Sequence, residues 1–142
     1  MKKIIAYMIS VMVIFLLITS CGKNEEQIQT LENAGSYSSV AEWIEKESEN
    51  IKGLKESMTG TDLELNVVGR GKSLVYQYRF TKVAGGDVTI WMKEQLNRDI
   101  EEQKESMNAV LVMLRKEVPD AESVIFEYYD KDNNLITSCE IK

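Results

Sequence analysis

Two stretches of this chain alternate apolar and polar residues with a period of two, and each follows a segment of helical spacing. Leu63, Leu65 and Val67 alternate with Glu64, Asn66 and Val68. After the turn signal Gly69-Arg70-Gly71-Lys72, Leu74, Tyr76, Tyr78 and Phe80 alternate with Ser73, Val75, Gln77 and Arg79. The pattern returns near the end. Val124, Phe126 and Tyr128 alternate with Ile125, Glu127 and Tyr129; the turn-rich run Asp130-Lys131-Asp132-Asn133-Asn134 follows. Leu135, Thr137, Cys139 and Ile141 then alternate with Ile136, Ser138 and Glu140. Side chains on a strand point to opposite faces in turn, so such runs predict hairpins with one face covered and one face wet.

The helical segments complete the plan. Val40, Ile44, Ile51, Leu54 and Met58 keep largely to one stripe, with Ser38 or Ser39 placed to cap the first turn and Glu42, three residues beyond Ser39, matching a capping box. A second stripe, Leu96, Ile100, Met107, Val110, Leu111, Leu114 and Val118, ends at Pro119 and carries Gln103 as its polar gap. From Asp87 to Val118 a straight helix would span roughly 45 Å, too long for a small sheet, which predicts a kink or a loose start near Thr89-Ile90-Trp91. The expected fold is α+β: two helices packed on one face of a four-stranded antiparallel sheet, in the order α-β-β-α-β-β.

The N-terminus carries an address. Lys2 and Lys3 precede an uncharged, mainly apolar run from Ile4 to Ile18, shorter than the ~20 residues of a spanning helix, and Ile18-Thr19-Ser20-Cys21 closes it. This ending resembles the bacterial lipobox. The resemblance implies cleavage before Cys21, diacylation of its thiol, and retention at the cell membrane on the extracytoplasmic face. The domain plan is then a signal peptide over 1–20, a polar tether over 21–37 and an α+β domain over 38–142. An uncleaved signal anchor is the alternative.

Composition narrows the function classes. The 142-residue chain has a formal charge of −6, and because both lysines of residues 1–20 leave with no acidic residue, the cleaved chain carries −8. Such a domain repels phosphates, so nucleic acid is not an expected partner. Histidine is absent, which removes the commonest general base and transition-metal ligand. With Cys21 acylated, Cys139 stands alone, and its place in an alternating run predicts a buried, inert thiol.

No recognised catalytic spacing appears, and no cofactor motif. Asp130 to Asn134 resembles the opening of a calcium loop. The sixth and twelfth positions, Leu135 and Ile141, lack the required glycine and glutamate, so a hairpin turn is the reading. On the helix-free sheet face, Val68, Val75, Ile125, Tyr129 and Ile136 are numerous enough to form an apolar patch; Val75, Ile125 and Tyr129 are the candidate binding residues, against cross-strand packing as the bland account. The expected function is a non-catalytic binding or interaction module, anchored through lipid on Cys21, whose partner is an envelope protein or polymer. The alternatives are an envelope-acting enzyme using carboxylates such as Glu64, Glu127 or Glu140, and a small solute-binding lipoprotein.

Val40-Ala41-Glu42-Trp43-Ile44, Gly71-Lys72-Ser73-Leu74-Val75-Tyr76-Gln77-Tyr78, Val124-Ile125-Phe126-Glu127-Tyr128 and Asp132-Asn133-Asn134-Leu135-Ile136 carry a further resemblance. They are similar to small lipoproteins of Gram-positive bacteria in domain-of-unknown-function family 4854. The likeness runs from about Tyr37 to the end. It implies an α+β domain and an extracytoplasmic setting, and no activity or catalytic residue.

Overall fold

The computed structural model describes residues 37–142. Cys21, the 1–20 segment and all of the expected tether except Tyr37 lie outside the described residues.

Helices α1 (Val40–Lys46) and α2 (Ser48–Ser57) lead into strands β1 (Leu63–Arg70) and β2 (Ser73–Phe80). A short 3-10 turn (Gly85–Asp87) precedes α3 (Ile90–Glu102) and α4 (Lys104–Glu117), and β3 (Ser123–Tyr129) and β4 (Leu135–Ile141) close the domain. Among the described residues, four helices therefore replace the expected two. The first segment breaks at Glu47 (φ −85°, ψ 11°) and the second at Gln103 (φ −103°, ψ 4°). The second break falls at the polar gap in the apolar stripe, not at Thr89, whose hydroxyl instead caps α3 by accepting from the Met92 N–H at 3.1 Å. Strands of eight residues span roughly 25 Å, so a helix must turn to stay on the sheet. The first cap differs in detail too. Ser39 Oγ accepts from the Glu42 N–H at 3.2 Å, but the Glu42 carboxylate reaches back to Ser38, accepting from its N–H at 2.8 Å and its hydroxyl at 2.6 Å.

The sheet order is β1-β2-β3-β4, and the sheet is mixed. β1–β2 and β3–β4 are antiparallel hairpins, but β2 and β3 run parallel, Ser73 opposite Ser123 and Gln77 opposite Glu127. This corrects the all-antiparallel expectation. Alternation within a strand reports which face is covered and says nothing of the neighbour's direction. The connection carrying α3 and α4 is long enough to return the chain to the same end of the sheet, as parallel pairing requires.

All four helices cover one face. α1 and α2 lie over β1, α3 over β4, and α4 over β3 and β4. The core beneath holds the alternating set: Leu65, Val67, Leu74, Tyr76, Tyr78, Val124, Phe126 and Tyr128, against Val40, Leu96, Ile100, Leu111 and Leu114 from the helices. Tyr76 stacks on Phe126 and Tyr78 on Tyr128, each pair with ring centres 5.3 Å apart, so the parallel junction is zipped by aromatics.

The two hairpin turns have local causes. Gly71 has φ +62° at the first central position of the Gly71-Lys72 loop, the positive value a type II′ hairpin turn needs there. In the second hairpin, the Asp130 carboxylate accepts from the N–H groups of Asp132 (2.8 Å) and Asn134 (2.9 Å) and from the Asn134 amide (2.9 Å). It thus serves as the turn's internal acceptor. A register shift at Tyr128/Tyr129 makes Tyr129 face Leu135 and skips Ile136. Ile136, expected on the wet face, thereby joins the core, and Leu135, expected in the core, is exposed. Side chains flanking a bulge no longer keep strict alternation.

Candidate functional site

The helix-free face is built around Glu127. Its backbone sits in the parallel junction opposite Gln77, and its carboxylate is only 8% exposed. Arg70 reaches it from the end of β1, donating from Nη1 to Oε1 (2.7 Å) and from Nη2 to Oε2 (3.2 Å). Gln77 Nε2 donates to Oε2 at 3.0 Å, and the Tyr129 hydroxyl at 2.7 Å. Burial pushes the Glu127 carboxyl upward, but the hydrogen bonds from Arg70, Gln77 and Tyr129, with the Arg70 charge, outweigh it and hold the pKa at about 2. The same contact, with burial first, raises the Tyr129 phenol. Glu127 is therefore a fixed anion, unlike a catalytic acid poised near neutrality.

This network decides where the sequence-derived candidates lie. Arg70 pairs with Ser73 and Glu127 with Gln77, so their ion pair runs diagonally over Val75, which stands between those two positions on β2. Val75 is 0% exposed and offers no surface. Ile125, beside it on β3, is half-buried, as is Tyr129. Of the three, Tyr129 lines a concavity. Glu64 and Glu140, set beside Glu127 as carboxylates on the wet side, are exposed and separately engaged: Glu64 by Arg79, and Glu140 by the Ser123 hydroxyl at 2.8 Å and Lys142 at 3.2 Å. Sequence reasoning missed Arg70, placed in a turn, and the anchoring role of Gln77 and Glu127. Four donors meeting on one acid depend on strand order, which alternation does not encode.

A basin of about 370 Å³ opens beside the network, lined by Glu64, Asn66, Gln77, Arg79, Tyr129 and Asn133. Most of its walls are fixed in advance. Arg79 pairs with Glu64 on the neighbouring strand; Asn66 Nδ2 donates to Gln77 Oε1 at 3.0 Å; Gln77 and Tyr129 are both held by Glu127. Asn133 enters from the β3–β4 turn with φ +64°, a conformation asparagine tolerates better than most residues.

A second concavity of similar volume lies on the helix side, lined from α2, α4 and β2. Ile51, Leu54, Leu74, Tyr76 and Leu114 line it, and Trp43 Nε1 donates to the Glu117 carboxylate at its rim. Cys139 packs against the core, and burial raises its thiol pKa. No curated protein and no solved structure matches the chain. The family described as Domain of unknown function (DUF4854) matches residues 40–141, from the first residue of α1 to the last of β4, and the chain belongs to that family.

Proposed function

We propose that this protein is a non-catalytic binding module, held on the extracytoplasmic face of the cell membrane by lipid on Cys21, that engages an envelope polymer or protein through its helix-free sheet face. The observation that carries the binding reading is the preformed basin: its polar walls are locked by ion pairs and hydrogen bonds before any ligand arrives, so little side-chain freedom is lost on binding. The anchor reading rests on the sequence Lys2-Lys3, the apolar run and Ile18-Thr19-Ser20-Cys21. No helix among the described residues is long and apolar enough to cross a membrane. The ionised, fully engaged Glu127 favours a module over an enzyme working through that carboxylate.

Two experiments test the parts separately. Intact mass of the membrane fraction should show loss of residues 1–20 and an added lipid; a Cys21→Ser chain that stays membrane-bound at full length points to a signal anchor instead. Sedimentation of the full chain with purified cell-envelope material should be lost in Asn66→Leu while the melting temperature holds. Binding that survives this change places the contact elsewhere.

A further inference from the structure

The chemistry of the basin narrows what it can hold. Its formal charges cancel, since Glu64 and Arg79 neutralise each other, and Glu127 beneath is already matched by Arg70. The Lys55 ammonium, which is outside the lining, donates to Asn66 Oδ1 at 3.3 Å. A site for a carboxylate or phosphate keeps surplus cations and a site for an amine keeps surplus anions; this one keeps neither inside.

It does keep planar groups that donate and accept side by side. Asn66, Gln77 and Asn133 bring amides, Glu64 a carboxylate and Arg79 a guanidinium. Asn66 donates one N–H to Gln77 Oε1 and keeps a second for a ligand, while the Gln77 amide nitrogen is turned to Glu127 and Tyr129. Vicinal hydroxyls are the ligand counterpart, because each hydroxyl both donates and accepts. Tyr129 adds an aromatic wall, and its hydroxyl is pinned to Glu127 at 2.7 Å, which fixes the ring. A purely apolar ligand would strand the amides without partners on desolvation. Resting on the basin as the binding surface, we infer that its ligand is an uncharged saccharide unit, held by hydroxyl–amide hydrogen bonds with one sugar face against Tyr129.

The test uses the full chain in lipid nanodiscs and ligand-observed saturation-transfer NMR. The probes are chitotriose (uncharged), tri-galacturonate (anionic) and glucosamine trimer (cationic), with empty nanodiscs as the blank. Chitotriose should receive saturation, strongest on the protons of one sugar face, and bind at least tenfold more tightly than either charged probe. Asn66→Leu, at an exposed position outside the Glu127 bonds, should weaken it at least tenfold with the melting temperature unchanged. Preference for a charged trimer, or chitotriose binding that Asn66→Leu leaves intact, overturns the inference. If no probe binds but envelope material still sediments in an Asn66-dependent way, the saccharide class falls and the basin stands. If that sedimentation also fails, the basin reading falls with it.

Discussion

Replacing Glu127 by glutamine should destabilise the domain at neutral pH and do so far less in acid. The carboxyl falls from its ordinary value of 4.5 to about 2 in the folded protein. At 1.36 kcal/mol per pKa unit, that shift sets an upper bound of about 3 kcal/mol on what ionisation adds to stability. Arg70, its strongest partner, is 55% exposed, and water screens that half of the pair. An effect of about 1.5–2 kcal/mol is the reasonable expectation. The folded pKa lies below the unfolded one, so the contribution is complete above about pH 4.5 and is lost as pH falls towards about 2. Urea unfolding of a chain beginning at Tyr37, which keeps the whole described core, can be followed by the fluorescence of Trp43 and Trp91. At pH 7, Glu127→Gln should lower the midpoint with an unchanged slope. By about pH 3, more than half of the gap between wild type and variant should have closed. An equal gap at both pH values would show that the residue acts by packing and that its charge is incidental.

Two further changes probe local chemistry. The Tyr128 hydroxyl is buried with no hydrogen-bond partner among the described residues, so Tyr128→Phe should leave stability unchanged or raise it by up to ~1 kcal/mol; a loss of that size would reveal a bound water on the phenol. Gly71 has open space around its Cβ position but a φ of +62°, so Gly71→Ala should cost about 1 kcal/mol from backbone strain alone, read as a lower melting temperature. An unchanged melt would place the turn in a conformation that does not need glycine.

The readable part of the fold was whatever a single strand or helix determines by itself. Period-two alternation placed Tyr76, Tyr78, Phe126 and Tyr128 in the core, and each is at most 4% exposed. Hydroxyls and glycines marked the helix start at Ser39 and the hairpin turn at Gly71. What escaped were relations between segments. The directions of β2 and β3 depend on the connection that joins them. The exchange of Leu135 and Ile136 between faces depends on a bulge against β3. The break at Gln103 showed only as a gap in the apolar stripe, because the limit on helix length comes from the sheet beneath. Parity singles out Val75, Ile125 and Tyr129, but it gives the face of a residue and not what lies over it. Arg70 covers Val75, and arginine in a turn carries no sign of its eventual partner.

The parallel junction is also what makes the candidate site. Run antiparallel, β3 would set its residues against β2 in the reverse order, and the register that now pairs Gln77 with Glu127 and Arg79 with Tyr129 would be lost. Run parallel and in register, it brings Glu127 within reach of Gln77 at its side and Arg70 across β2. The carboxylate can then anchor both walls, with Gln77 on one strand and Tyr129 two residues along its own. Helices on the other face confine the chain to a layer that stabilises the sheet without covering the basin. The long helical connection thus has two effects: it completes the core, and by setting strand direction it assembles a charge-balanced polar face from residues 57 positions apart in the chain.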